Sequence, residues 1–406
     1  MNYDILFVGK LFPKEKEAEI KSKMRTGMQD AANALQWNII NGLDENHCGT
    51  VKIVDQLPVD SYPNGYADKS IPEFVFQHTD RYQSDDKNVA CTNITIAKQF
   101  LNFSPFRKEV SKWARTDSNR KKVMILYTAS PLFLDIARYV KKQYPQVQIC
   151  CIIADLPEFV CARKLHGIRK LYNEYQAKKS GTLYGFVDKY VLLTKQMAER
   201  LNLHVPFMVM EGIAPEDNIP TDDSLARRFQ NEKYILYSGT LNYEFGIGTL
   251  LEAFSLIEEN DLKLIICGFG EAAKAIENMH DDRIVFLGKI DRTQVIPLQR
   301  NATVLVNPRQ NNEEFTKYSF PSKTMEYLAT GVPVVAYKLD GIPDEYDEYI
   351  RYVPDNSPES LAVVLKDICA LTDAERHAIG EKARTFVRKE KNYRKQTQKM
   401  LEFIDS

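Results

Sequence analysis

Short apolar runs rich in β-branched residues recur along this chain, each followed by a longer stretch of helical period. This alternation limits the fold more than any other feature. In the first half the runs fall at 4–9 (DILFVG), 51–56, 122–128 (KVMILYT), 147–155 (VQICCIIAD), 189–194 and 207–211. In the second half they fall at 234–239 (YILYSG), 262–268 (LKLIICG), 283–288, 302–308 (ATVLVNP) and 332–338. Strands alternating with helices in this way predict parallel sheets covered by helices. Two sheets are implied, because 406 residues exceed what one core holds. The segment 212–232, rich in Pro, Asp and Asn, is the expected linker, with a boundary between 212 and 230.

Composition excludes several classes. Lys and Arg total 54 against 55 Asp and Glu, a net charge of -1, which gives no global basis for binding nucleic acid. Seven unevenly placed cysteines fit reduced thiols in a cytoplasmic protein and suggest neither a disulfide framework nor a zinc site. No apolar run approaches the roughly 18 residues of a spanning helix, and MNYDILFVGK leads straight into a strand, so the chain is expected to be neither exported nor membrane-spanning. Ile247, Leu250, Leu251 and Phe254 mark an amphipathic helix face, and Thr372 with Glu375 spells a capping box.

Ligands of open parallel sheets gather outside the carboxyl ends of the strands. Three turns there carry small or polar residues: Gly239 with Gly246 and Gly248, Gly268 with Gly270, and the stretch FTKYSFPSKTMEYLATGVPVVAYK at 315–338. A Gly-x-Gly turn alone is weak evidence and marks a plain tight turn more often than a phosphate loop. The third says more. Pro321 fixes φ before a helix, Ser322 is expected to cap it, and Lys323 adds a positive charge to free N–H groups. Glu326, one turn further, is placed to accept hydrogen bonds from ribose hydroxyls. A capped helix with solvated charges reads the same residues equally well.

At this point the residues resemble a family, the glycosyltransferases of the GT-B fold, family 4 type. The likeness covers most of 234–390, through the Gly-Thr-Leu turn, ICGFG, IVFLGKI, ATVLVNPR, SFPSKTMEYLATGVPVVA and DGIPDE. It implies an α/β protein of two Rossmann-like domains with parallel sheets facing across a cleft. The implied domains are 1–212 for the acceptor, 213–388 for the nucleotide sugar, and a helix at 389–406 returning to the first. It further implies a retaining enzyme of bacterial surface-polysaccharide assembly, with a nucleotide-diphosphate sugar as donor and a glycan or lipid-linked sugar as acceptor. Glu326 would hold the ribose, Ser322, Lys323 and Arg309 the diphosphate, and Gly239, Thr240, Gly268 and Gly341 would let the donor approach the backbone.

Two departures from the family pattern matter. Where many members carry Arg and then Lys in the first turn, this chain has Thr240 and Phe245, so Lys323 and Arg309 are the expected replacements. Where members carry a further Glu, it has Tyr318, so sugar contacts shift to Tyr318, Glu313 or Glu314. No Asp-x-Asp occurs, and the expected enzyme needs no metal and no other cofactor.

In the first half, ADLPE and VLLTKQMAERL resemble acceptor-domain segments less specifically. Asp155 and Glu158 are candidates to position the acceptor hydroxyl, with helix capping as the competing role. His78 and His166 read as surface residues. The stretch 162–181, with Arg163, Lys164, Arg169, Lys170, Lys178 and Lys179 among apolar residues, reads either as a solvated helix or as one lying on an anionic membrane at the inner face of the cell membrane. A catalytically silent partner-binding subunit and a sugar-nucleotide epimerase remain as alternatives.

Overall fold

The computed structural model describes residues 2–27, 29–46, 49–95, 101–156, 168–216 and 220–406, with the backbone alone described over 168–174. The chain divides into two compact units, one of Met1–Met210 with Tyr393–Ser406 and one of Glu211–Asn392, where the sequence placed the breaks at 212/213 and 388/389.

The first unit holds β1 (Tyr3–Gly9), β2 (Thr50–Asp55), β3 (Ser70–Ile71), β4 (Phe74–Phe76), β5 (Asp86–Asn88), β6 (Cys91–Thr92), β7 (Lys121–Tyr127), β8 (Gln148–Ile153), β9 (Lys189–Leu192) and β10 (Phe207–Val209). Its main sheet runs β10-β9-β8-β7-β1-β2-β5-β4. Pairing is parallel from β10 to β5, and β4 closes the edge antiparallel. A separate antiparallel pair joins β3 to β6. The helix Tyr393–Asp405 completes this unit. Tyr3 Oη donates to Asp405 Oδ1 at 2.7 Å, Gln148 Nε2 to the Ile404 carbonyl at 2.6 Å, and Asn46 Nδ2 to the Arg394 carbonyl at 2.7 Å.

His78 is not the surface residue its sequence setting suggested. Its fully buried ring places Nδ1 2.6 Å from Asp86 Oδ2 and Nε2 3.3 Å from Asp44 Oδ2. Asp86 Oδ1 also accepts from the Ile53 N–H at 2.8 Å, so the imidazole joins the sheet edge to the helix Asp30–Asn46. Burial alone lowers a histidine's pKa, but the hydrogen bonds and charges of Asp44 and Asp86 outweigh it and hold His78 at about 9. A pKa raised above the ordinary value stabilises the fold fully below about pH 6.5, and that stability is lost as pH rises through about 9. Thermal melts of the wild type should therefore fall across that window, and His78→Gln should remove this dependence. Parallel curves for the two proteins would refute the assignment.

The second unit holds β11 (Lys233–Thr240), β12 (Leu262–Phe269), β13 (Ile284–Phe286), β14 (Val304–Asn307), β15 (Val334–Tyr337) and β16 (Arg351–Val353), in the order β13-β12-β11-β14-β15-β16. Every pair is parallel. Successive residues of β11 alternate between two cores, Tyr234 and Leu236 facing the helix Ser322–Leu328, Ile235 and Tyr237 facing the helices Ile247–Ser255 and Pro358–Ala370. Thr372 and Glu375 form the expected capping box.

Both chain crossings into this unit are fastened to each other inside it. Lys391 Nζ lies 2.5 Å from Glu211 Oε1 and 2.6 Å from Glu345 Oε1, and the Tyr346 hydroxyl donates to Glu211 at 2.5 Å. The Ala214 N–H donates to the Lys391 carbonyl at 2.8 Å. Lys391 and Glu211 are only 3% and 4% exposed.

Candidate functional site

Strand order in the second sheet reverses between β11 and β14, so the carboxyl ends of these two strands frame the crevice in which an open α/β sheet binds ligands. β11 ends in Gly239 and Thr240, with the Tyr237 hydroxyl donating to the Thr240 carbonyl at 2.7 Å. Pro308 and Arg309 follow β14 directly.

The helix Ser322–Leu328 is fixed to both strand ends by its own side chains. The Ser238 N–H donates to Tyr327 Oη at 3.0 Å, and Asn307 Nδ2 to Thr324 Oγ1 at 3.2 Å. Its start differs from expectation. Pro321, not Ser322, occupies the N-cap position, no side chain caps the end, and Ser322 is exposed. Proline already sets the entry dihedral, which leaves the serine hydroxyl in the first turn rather than before it.

Lys323 lies across Gly239. A Cβ on Gly239 would sit 2.0 Å from both Cε and Nζ of Lys323, so the bare backbone is the slot for this lysine. Burial, reinforced by the Arg309 charge and opposed by Glu326, lowers the pKa of the Lys323 ammonium. Gly239→Ala meets only the flexible end of a side chain, so the melting temperature should stay level or rise slightly. The lysine must move, however. We expect turnover to fall at least tenfold if Lys323 acts from this position, and a fully active Gly239→Ala would show that it does not.

Arg309 is held between two aromatic rings. Its guanidinium lies 4.4 Å from the centre of Phe315 and 5.0 Å from that of Phe245, and these rings meet edge to face at 6.3 Å. Phe245, which the sequence presents as a missing cation, is thus a support for a cation from the next strand. The structure brings Lys323, Arg309, Gly239, Thr240 and Gly268 to the ends of adjacent strands, Gly239 pairing with Gly268 in register. Tyr318 is half-buried at the end of the helical turn Glu314–Tyr318, and Gly341 is buried in the loop after β15.

Glu326 carries a partner that sequence reasoning missed: Arg292 Nη2 lies 3.2 Å from its Oε1. With Gln299, Arg300, Thr330 and Arg388 the two line an open surface pocket. The residues stand 34 apart, and no local pattern links them.

Asp155 belongs to the first unit, exposed in the turn after β8. Burial, with the Asp155 charge adding to it, raises the pKa of the Tyr127 hydroxyl. Glu158, His166, Arg163 and Lys164 fall outside the described residues, as do the side chains of Arg169 and Lys170. The remainder of the basic stretch forms the helix Ile168–Gly181, in which Lys179 pairs with Asp135 at 2.6 Å. Among the described residues no helix is long and apolar enough to cross a membrane.

Comparison with known proteins fits this geometry. Residues 220–386 match the family described as glycosyl transferases group 1. The chain is 26% identical over 217 residues to the N-acetyl-alpha-D-glucosaminyl L-malate synthase of Bacillus anthracis, covering 51% of this chain and 48% of that protein. It is 27% identical over 188 residues to the lipopolysaccharide 1,2-N-acetylglucosaminetransferase of Salmonella typhimurium, covering 43% and 47%. It thus spans about half the length of these curated relatives. Among solved structures, sucrose-phosphate synthase from Thermosynechococcus elongatus superposes with a TM-score of 0.65 at 16% identity, covering 100% of this chain and 98% of that one. The Anabaena protein Alr3699/HepE, solved with UDP and glucose, gives 0.61 at 13%, covering 99% of both. At such identities the likeness concerns the fold, and the chain is an α/β protein of the GT-B class, built from two Rossmann-like units.

Proposed function

We propose that the chain is a retaining glycosyltransferase of family 4 type, moving a sugar from a nucleotide diphosphate to a glycan or lipid-linked acceptor in surface-polysaccharide assembly. The observation that carries this reading is the pair of cations at the strand reversal, Lys323 across Gly239 and Arg309 between Phe245 and Phe315. The match of 220–386 to a glycosyltransferase family and the UDP and glucose bound by Alr3699/HepE support it.

In this reaction the bond from the anomeric carbon to the diphosphate breaks and a bond to the acceptor oxygen forms on the same face. The acceptor proton passes to the departing diphosphate. Negative charge grows on the leaving group, and fixed cations stabilise growing charge without reorganising. Lys323 and Arg309 fill that role, with Ser322 and Thr240 beside them. Glu326 takes the ribose hydroxyls in exchange for Arg292, and Tyr318 and Gly341 border the sugar. Asp155 orients the acceptor hydroxyl. Such a cation pair serves the role a divalent ion plays elsewhere, so transfer proceeds without added metal.

Hydrolysis of a panel of nucleotide sugars, run in chelator, tests the reading together with thermal shifts from the nucleoside diphosphates. Turnover of at least one donor is expected. A shift with no turnover of any donor indicates a silent subunit, and activity that returns only with manganese or magnesium rejects metal independence. Attachment to an anionic membrane through 162–181 predicts flotation with anionic liposomes and none with neutral ones.

A further inference from the structure

Phe269, the last residue of β12, is 60% exposed. Single exposed apolar side chains are ordinary, so its setting decides the matter. Ile265 and Cys267 of β12 belong to the core containing Met325, Tyr327 and Leu328, whereas Leu264 and Ile266 face the opposite core. Strand alternation therefore puts Phe269 on the face of the helix that carries Lys323 and Glu326.

The backbone around the ring is bare and tightly joined. Gly268, at φ +142°, would place a Cβ 1.7 Å from the Gly239 carbonyl oxygen, and Gly270, at φ +158°, would place one 2.6 Å from the Leu241 carbonyl. The Leu241 N–H donates to the Phe269 carbonyl and the Gly268 N–H to the Gly288 carbonyl, both at 2.8 Å. Three carboxyl-end turns are thus bound side by side. Lys289, from the third, holds its ammonium 5.4 Å from the centre of the Phe269 ring. Arg292, three residues beyond it, is the partner of Glu326.

Along this edge Arg309 follows β14, Gly239 and Thr240 end β11 and Phe269 ends β12. Two strand spacings, roughly 10 Å, separate the first from the last. That is the order of the span from a diphosphate across a ribose to a base. We propose that Phe269 is the platform on which the nucleobase of a nucleoside diphosphate stacks, with Lys289 reaching the polar edge of the base. An ammonium only donates: it can serve either carbonyl oxygen of uracil, whereas adenine offers ring nitrogens alone, some of them beside an amino donor, so uracil is favoured over adenine.

This inference rests on the donor reading above, and the experiment separates the two. Calorimetry of UDP, ADP and inorganic pyrophosphate binding is compared between wild type, Phe269→Leu and Phe269→Trp. UDP affinity should fall about 5- to 150-fold in Phe269→Leu, the range of base–aromatic stacking, and hold in Phe269→Trp. Pyrophosphate affinity should be unchanged throughout, and wild type should prefer UDP to ADP. Unchanged UDP affinity in Phe269→Leu overturns the platform while leaving the donor site standing, as does an equal loss for pyrophosphate, which would mark a distorted turn. Failure of wild type to bind any nucleoside diphosphate overturns both.

Discussion

Lys323→Ala should lower turnover by about 10²–10³-fold, the scale on which loss of one fixed donor aimed at developing charge is felt. Its melting temperature should hold or rise, because the substitution removes a partly buried cation whose burial lowers its pKa. Nucleoside diphosphate affinity should fall much less than turnover, since charge on the leaving group is greatest in the transition state. The lowered pKa adds a signature. Wild-type activity should decline with rising pH before the ordinary lysine range, as the ammonium gives up its proton. A variant within threefold of wild type would move the diphosphate contact elsewhere, with Arg309 the first alternative.

Lys391→Met should destabilise the second unit by roughly 3–5 kcal/mol, the usual result of breaking a buried ion pair from one side. The cause is what remains: Glu211, 4% exposed, keeps the Tyr346 hydroxyl as its one side-chain partner among the described residues. Adding Glu211→Gln to Lys391→Met should recover much of the loss, because the uncompensated charge is then gone. Both tryptophans, Trp37 and Trp113, lie in the first unit. Urea unfolding of the second is therefore best followed by far-ultraviolet circular dichroism. A loss under about 1 kcal/mol, within the range of ordinary single substitutions, would mean that water or rearrangement compensates Glu211.

The parallel strands were readable in the sequence because strands covered on both faces become nearly continuous apolar runs, as in ILFVG of β1 and VLV of β14. β3, β6 and β16, of two or three residues each, lie in no longer apolar run and show no period. Lys323 and Arg309 were legible as charges beside strand ends. What Phe245 does was not, since its meaning depends on Arg309 and Phe315, which the chain brings from 64 and 70 residues away only on folding. Arg292 and the Asp44–His78–Asp86 cluster were hidden for the same reason. Ser322 misled because Ser after Pro fits a cap in sequence, whereas the helix begins one residue earlier.

The helix Tyr393–Asp405 belongs to the first unit, while Glu211–Asn392 forms an uninterrupted second unit. Chain synthesis meets these pieces in a fixed order. Residues 1–210 emerge first, yet their unit lacks one of its helices until the whole second unit has been made. The later unit can thus finish folding before the earlier one. A chain cut after residue 392 would keep the whole of the second unit, together with a first unit whose contacts at Tyr3, Asn46 and Gln148 lack their partners.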